Sequence, residues 1–321
     1  MNFARETYRC VLAATDFSPS AAAATRLAAW VAERSGCELT LVHAIENLHE
    51  AVHRLSGRAK LDLVSGEGEL FEKEVRSVAD QKLRVLASQL ESGVVRIRCE
   101  VLLGEAFLEI THVVQSEKFD LVMTGTRGVS GWKQFFVGST AKKLIRNCPS
   151  SVWIVKAEHA VPPEVVIGAA DFSEASRKAV LEGLWIAREA NAEFHLVHVI
   201  DSRDVPEDLL DSIPPGSSVR AEINRQAEER LAEFLQSLGD AAQGVNSHLT
   251  WGYPWQEIAR IAQKHQADLI VLGTVGRSGI KGILLGNTCE RVLETCDCSV
   301  LTVKPDDYVS PIEPATWPLH P

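Results

Sequence analysis

The sequence lacks an apolar run of the roughly 18–20 residues that cross a bilayer. Residues 1–9 lack a basic start that leads into an apolar stretch, so no secretion signal is expected. With a formal charge of −10, the chain has no general basic surface for nucleic acid or anionic membranes. Its seven cysteines are an odd number without C-x-x-C spacing. We therefore expect a cytoplasmic protein with reduced, packed cysteines and neither nucleic acid nor membrane as a partner.

Signatures of several enzyme classes are also missing. There is no G-x-x-x-x-G-K-[S/T] loop of a P-loop NTPase, and no nucleophile–base–acid set stands out. The H-E-x-x-H at residues 49–53 begins five residues after a predicted strand and has no clear third ligand, so no metal site is predicted. No catalytic residue is predicted either. An enzyme with slow ATP hydrolysis stays a less favoured alternative.

The chain contains the same pattern twice. An apolar run that ends in Asp-Phe-Ser at residues 16–18 recurs 155 positions later, at 171–173. Residues 104–156 then overlay 252–304 without a gap, with 19 of 53 positions identical. This likeness indicates a duplication. We predict a first domain at 1–157, a linker at 158–163, a second domain at 164–304 and a proline-rich tail at 305–321 that lies along the second domain.

Within each copy, short apolar runs alternate with amphipathic stretches. The predicted strands of the first copy are 10–14, 39–44, 95–101, 121–124 and 152–155, and its predicted helices are 18–34, 67–92, 105–117 and 140–147. Ser18 followed by Pro19 is typical of a helix start. The alternation predicts an α/β protein of two tandem doubly wound domains, each with a five-stranded parallel sheet flanked by helices.

A glycine-rich segment follows the fourth predicted strand. Gly125 and Gly128 are followed, after nine residues, by Gly138-Ser139-Thr140 at the start of a helix. Glycine lets the backbone turn and approach a ligand closely, and a helix N-terminus attracts anions. Asp16 follows strand one, so its carboxylate should face the same crevice and accept hydrogen bonds from ribose hydroxyls. These features predict a phosphate-binding loop.

The segment resembles the universal stress protein family, whose ATP-binding members carry G-x2-G-x9-G-[S/T]. The resemblance covers both copies and implies an adenine-nucleotide α-hydrolase-like fold, a regulatory stress-response role, and ATP, with Mg²⁺ where it is needed, in the first domain. It also implies an intrachain pseudo-twofold pair through the last strands, with a homodimer left open. The candidate nucleotide-binding residues are Ala14, Thr15, Asp16, Ala44, Thr124, Gly125, Arg127, Gly128, Gly138, Ser139 and Thr140.

The second copy keeps the glycine spacing but places Asn287 where the first has Ser139. Trp251, Tyr253 and Trp255 replace smaller residues near the expected adenine end, where they could stack on a base, fill the pocket or favour an apolar ligand. The candidate ligand-binding residues here are Ala170, Asp171, Val199, Leu272, Gly273, Gly276, Gly286, Asn287 and Thr288. An interaction module with empty or apolar pockets is the alternative function.

Basic residues near the two loops could meet phosphate charge. They are Arg127, Lys133, Lys142 and Lys143 around the first loop, and Arg277, Lys281 and Arg291 around the second. A solvated surface charge is the simpler interpretation of each. Arg127, between the two glycines, is the one predicted to contact phosphate.

Overall fold

A computed structural model describes residues 8–45, 67–90, 95–126, 137–202, 217–275 and 285–314. The described elements of the first copy are β1 (Cys10–Ala14), α1 (Pro19–Ser35), β2 (Glu38–Ile45), α2 (Glu67–Leu90), β3 (Ile97–Leu103), α3 (Ala106–Glu117), β4 (Leu121–Gly125), α4 (Ser139–Asn147) and β5 (Ser151–Val155). Those of the second copy are β6 (Val165–Ala169), α5 (Glu174–Ala190), β7 (Glu193–Asp201), α6 (Ser218–Ser237), β8 (Asn246–Gly252), α7 (Pro254–Lys264), β9 (Leu269–Gly273), α8 (Asn287–Thr295) and β10 (Ser299–Val303). A short 3₁₀ helix at Gly239–Ala242 precedes β8.

Each copy builds a parallel sheet of the predicted kind. The strand order is β3-β2-β1-β4-β5 in the first copy and β8-β7-β6-β9-β10 in the second. In both sheets the chain order reverses beside the first strand, at β1/β4 and at β6/β9. The carboxyl ends of parallel strands diverge there, which leaves a crevice for a ligand. The predicted α/β class and the doubly wound domains are confirmed.

The predicted elements of the first copy match the structure to within about two residues. Ser18 caps α1, because its Oγ accepts a hydrogen bond from the Ala21 amide at 3.3 Å, and Pro19 opens the helix. The largest difference is β3, which begins two residues later than predicted. β3 pairs with β2 over its whole length. Ile97 at its start lies opposite Leu39, and Leu103 at its end lies opposite Ile45. Pairing across the sheet therefore sets this strand, since its own residues alternate weakly.

An aspartate before the fourth strand of each copy ties the sheet together. The Asp268 carboxylate accepts hydrogen bonds from the amides of Glu164 and Val165, at 2.8 and 3.0 Å. The equivalent Asp120 accepts from the amides of Arg9 and Cys10. Each carboxylate thus satisfies backbone donors where the central strand begins.

The tail does not lie wholly where the sequence placed it. The Ile312 carbonyl accepts a hydrogen bond from Nε2 of Gln115, on α3 of the first copy, at 2.9 Å. The expectation that the tail follows the second domain is therefore wrong for residues 309–314, which belong to the same compact unit as the first copy. All seven cysteines are free thiols, as expected. None of the described helices is long and apolar enough to span a membrane.

Candidate functional site

A cavity of about 420 Å³ lies at the carboxyl ends of β1, β2 and β4 in the first copy. Nine of the eleven predicted residues line it, and the other two, Arg127 and Gly128, fall outside the described residues. The nine are Ala14, Thr15, Asp16, Ala44, Thr124, Gly125, Gly138, Ser139 and Thr140. The fold thus brings together residues from four separate segments of the chain.

The polar end of the cavity is the start of α4. Gly138 is the N-cap of this helix, and no side chain caps its first turn. The Gly138 amide donates to the Thr126 carbonyl at 2.6 Å, which holds the helix start against the end of β4. Ser139 is exposed at the first helical position. The first-turn amides and the hydroxyl therefore offer an anion a set of donors at the positive end of the helix dipole.

Asp16 is held in the turn between β1 and α1. Its Oδ1 accepts a hydrogen bond from the Ser18 amide at 2.9 Å, and the side chain is exposed. The next residue, Phe17, has a φ of 63°, a left-handed conformation unusual for a bulky side chain. The second copy repeats this turn, with a φ of 65° at Phe172. The constrained turn fixes the position of the carboxylate at the rim of the cavity.

The two strand-end histidines have structural partners. Nδ1 of His43 donates to the Thr15 carbonyl at 2.8 Å, and Nδ1 of His198 donates to the Ala170 carbonyl at the same distance. A carbonyl oxygen can only accept, so each ring carries its proton on Nδ1. Both residues are therefore hydrogen-bonded structural histidines.

Gly125 is needed for packing as well as for the cavity. A Cβ at this position would lie 2.6 Å from both the carbonyl carbon and the Oγ of Ser20, and 2.7 Å from the Ala21 amide nitrogen. The start of α1 therefore crosses β4 too closely for any side chain. The sequence predicted that this glycine serves a backbone turn and the approach of a ligand, and the structure adds the close approach of α1.

The apolar end of the cavity was only partly predicted. Beyond Ala44, it is lined by Val42 on β2 and by Ala106 and Ile110 on α3. Val42 and Ala44 are two apart on a strand and the other pair is four apart on a helix, so each pair shares one face. Starting from Ala44, this spacing picks out Val42, but an apolar pair on one strand is equally typical of a core, and nothing in the sequence pointed to Ala106 or Ile110. These four residues form a surface suited to a flat apolar group such as a nucleobase.

Of the basic residues expected around the first loop, Lys143 has other partners. Its Nζ lies 2.5 Å from Oε1 of Glu105 and 4.5 Å from the centre of the Phe107 ring. This lysine is thereby engaged on the flank of α3. Lys142 follows the first turn of α4, and Lys133 falls outside the described residues.

A second cavity, of about 520 Å³, lies beside the first between α2 and the ends of β1 and β2. The two cavities share Asp16. Phe17, Ile45, Val75, Val78 and Ala79 contribute to its mainly apolar lining, and Lys82 and Glu74 supply charge. No motif in the sequence pointed to this space.

The second copy repeats the framework with larger side chains. Gly286 caps α8 and its amide donates to the Thr274 carbonyl at 2.7 Å, as in the first copy. Val199 stands at the position of Ala44 and Leu272 at that of Thr124, and both are buried. Pro254 likewise replaces Ala106. Each of these side chains is larger than its counterpart in the first copy.

Two of the three aromatic residues in this segment of the second copy, Trp251 and Trp255, have protein partners, whereas Tyr253 is exposed. Nε1 of Trp251 donates to Oδ1 of Asn224 on α6 at 2.7 Å, and the Arg220 guanidinium lies 4.6 Å from the Trp251 ring centre. Arg291 lies 5.8 Å from the Trp255 ring, matching the pair of Lys143 and Phe107. The sequence left three roles open for these aromatic residues: stacking on a base, filling the pocket or favouring an apolar ligand. The contacts of Trp251 agree with filling the pocket rather than with stacking on a base. Gly276, Arg277 and Lys281 fall outside the described residues.

Comparison with known proteins agrees with this architecture. The profile of the universal stress protein family matches residues 7–156 and residues 164–304. The chain therefore belongs to the universal stress protein family, as a tandem of two such domains.

Among its relatives, universal stress protein E of Salmonella typhi is 31% identical over 180 residues, which cover 53% of this chain. The match spans 56% of that relative, little more than half its length. Universal stress protein E of Photorhabdus laumondii is 26% identical over 321 residues, covering 96% of this chain and 98% of that protein. A functionally unknown protein from Pseudomonas aeruginosa PAO1 shares the fold, with a TM-score of 0.67 and 21% identity, over 95% of this chain and 96% of its own.

Proposed function

We propose that the first copy binds ATP in its cavity, that the second copy is divergent, and that the chain is a nucleotide-binding regulatory protein of the stress response. The cavity of about 420 Å³ between an apolar end and the start of α4 is the observation that carries this. Its volume falls in the range of roughly 300–1,000 Å³ typical of small-molecule sites. The G-x2-G-x9-G-S spacing of ATP-binding family members lends independent support.

The layout of the cavity suits each part of the nucleotide. The base would lie against Val42, Ala44 and Ile110, and the ribose hydroxyls would donate to the Asp16 carboxylate. The phosphates would meet the first-turn amides of α4 and the Ser139 hydroxyl. Mg²⁺ would accompany the phosphates and neutralise part of their charge.

Binding is better supported than chemistry. Asp16 is the one carboxylate among the described residues that line the cavity, and it already accepts from the Ser18 amide. Hydrolysis needs a group that orients or deprotonates the attacking water. With no second carboxylate or histidine among those lining residues, turnover would be slow at most.

Isothermal titration calorimetry on the full chain tests the proposal. We expect one tight site with a dissociation constant near the micromolar range, about −8 kcal/mol. Gly138→Val should abolish binding, because a branched side chain would stand where a phosphate approaches. Ser139→Ala should cost about 1–3 kcal/mol, the loss of a hydrogen bond to a charged group. Unchanged affinity in the Gly138 variant would show that the phosphates bind elsewhere.

Variants of the second copy are the matched controls. Gly286→Val and Asn287→Ala alter the equivalent helix start and should leave the tight site intact. A double variant, Ala44→Val with Thr124→Leu, gives the first cavity the side chains of the second and should remove binding while keeping the fold. Two equal sites per chain under saturating ATP would refute the proposed asymmetry.

The second cavity favours one alternative, an interaction module that holds an apolar molecule. Its lining by Phe17, Val75 and Val78 would suit a hydrocarbon chain, and Lys82 could pair with an acidic head group. Mass spectrometry of molecules released from the denatured native protein separates the two functions. Release of an apolar compound, together with no ATP binding in solution, would favour this alternative.

A further inference from the structure

Three histidines from different elements of the second copy meet at one place. His195 lies on β7, His248 lies on β8, and His265 caps the end of α7. Val197 is the register partner of His248, so His195 and His248 share one face of neighbouring strands. One ring nitrogen from each of the three lies within 4.8 Å of the others.

The ring nitrogens of the three histidines have few hydrogen-bond partners. Nδ1 of His195 and Nε2 of His248 are 2.9 Å apart, so a single proton serves both. Nε2 of His265 is buried without a hydrogen-bond partner in the described part of the chain, and Nε2 of His195 makes no well-aligned hydrogen bond, although the Glu193 carboxylate lies 3.4 Å away. His195 as a whole is 3% exposed. Buried polar atoms in native proteins are nearly always paired, so this cluster needs a further partner.

The first copy shows what occupies the equivalent place there. Its matching residues are Thr40, Glu100 and Glu117, and the Arg98 guanidinium lies among them. Arg98 donates to Oγ1 of Thr40 at 3.3 Å, pairs with Glu117, and lies 3.9 Å from a Glu100 oxygen. In the second copy Asn246 replaces this arginine. The cation of the first copy is therefore lost where the three histidines appear.

We propose that His195, His248 and His265 bind a divalent transition-metal cation, Zn²⁺ above all, which takes the place of the Arg98 guanidinium. Neutral imidazoles select Zn²⁺, Cu²⁺ or Ni²⁺ over Mg²⁺ and Ca²⁺. Tetrahedral Zn–N bonds of 2.0–2.1 Å put ligand nitrogens about 3.3 Å apart. Nδ1 of His195 and Nε2 of His248 are 2.9 Å apart, and a nitrogen of His265 lies within 4.8 Å of the other two ligand atoms.

The surroundings both favour and oppose a cation. Oε2 of Glu193 lies 3.4 Å from Nε2 of His195, where it can accept that ring's proton while Nδ1 binds the metal. The negative end of the α7 dipole also points at the site. The positive charges of Lys264 and Arg260 disfavour a cation next to His248. Burial lowers the pKa of His195 and of His248.

The cluster is separate from the nucleotide-type crevice. His195 and His248 are each the third residue of their strands, whereas the ligand positions such as Val199 lie at the carboxyl ends. A metal there would join β7, β8 and the end of α7. The site is therefore structural, and it does not depend on ATP binding in the first copy.

Untagged full-length protein, stripped with a chelator and titrated with Co²⁺ and then Zn²⁺, tests the proposal. We expect one metal per chain by elemental analysis, a tetrahedral Co²⁺ absorption spectrum without thiolate charge-transfer bands, and a higher melting temperature with Zn²⁺. His265→Gln should weaken binding about 100-fold or more, and Glu193→Gln about 10-fold. His112→Gln, on α3 of the first copy, is the control and should bind like the parent.

A variant that carries the first copy's side chains at these positions separates loss of metal binding from misfolding. The combined change His195→Thr, Asn246→Arg, His248→Glu and His265→Glu installs the first copy's ion-pair cluster. It should fold, melt independently of Zn²⁺ and bind no metal. Absent metal binding in the parent, cysteine-type Co²⁺ bands, or binding unaffected by His265→Gln and the combined change would each overturn the site.

Discussion

Gly125→Ala should lower the free energy of unfolding of the first copy by about 2 kcal/mol. The added Cβ would lie 2.6 Å from the carbonyl carbon of Ser20 and 2.7 Å from the amide nitrogen of Ala21. Carbon contacts are optimal near 3.5–4.0 Å, so the approach is short by about 1 Å. Backbone atoms cannot rotate away, and α1 must move. Overpacking of this kind costs about 1–3 kcal/mol, which a gain of about 0.4–1 kcal/mol from the less flexible unfolded chain only partly offsets.

Gly273→Ala is the matched change in the second copy. There the nearest atoms to an added Cβ are the carbonyl carbon of Ala175 at 3.3 Å and its side chain at 3.4 Å. Neighbours need to shift by only a few tenths of an ångström, so the net change should stay within about 1 kcal/mol. The two glycines occupy equivalent strand ends, and only the closeness of the helix differs.

Urea titration read by hydrogen-exchange mass spectrometry reports each copy separately through the peptides of β1 and β4 or of β6 and β9. Gly125→Ala should also weaken ATP binding, because α1 carries Ala21 on the cavity wall. Equal stability losses in the two variants would refute the packing argument. An unaltered stability with lost ATP binding in Gly125→Ala would show that this glycine serves the ligand alone.

Two further predictions concern single side chains. Burial raises the pKa of Cys37 to about 11, so iodoacetamide at pH 8 should modify it about 200-fold more slowly than in urea-unfolded protein. The rate in the folded protein should rise about tenfold per pH unit and level off only near pH 11, and equal rates in the folded and unfolded protein would contradict the burial. Asp268→Ala removes the acceptor for the amides of Glu164 and Val165 and should lower the free energy of unfolding, measured by urea denaturation, by about 2 kcal/mol. Asp120→Ala should have the same effect in the first copy. No loss of stability in either variant would show that water replaces the carboxylate without cost.

Much of the fold was predictable because its signals are local. Ser18 and Pro19 mark a helix start by their own chemistry, and the duplicated pattern supplies each element twice. The bounds of β3 were less predictable, because Ile97 pairs with Leu39 across the sheet and only that pairing fixes the register. The contact of Ile312 with Gln115 likewise depends on tertiary structure.

The residues of the candidate site likewise fall into those that a local motif predicts and those that only the tertiary structure brings together. Gly138 and Ser139 were identified from a compact motif at a helix start, and the structure places them on the cavity wall. Val42 and Ile110 carry no motif, since an apolar residue on a strand or helix reads only as core. The histidine cluster was missed altogether. Its members are far apart in sequence, and only the register of β7 on β8 and the length of α7 bring them together.

The second copy connects its two ends through α7. This helix begins at Pro254, which corresponds to Ala106 on the cavity wall of the first copy, and its C-cap is His265, in the histidine cluster. Val199 and His195 lie on the same face of β7, four residues apart, so one helix covers both. A metal at the cluster would fix the far end of α7 and thereby hold the near end over the crevice. Removal of the metal should then speed hydrogen exchange in β8 and α7, while the ATP affinity of the first copy stays constant. A rigid helix of 11 residues moves as a unit, so exchange should become faster along the whole of α7. Faster exchange confined to the residues next to the cluster would refute this coupling between the two ends of the helix.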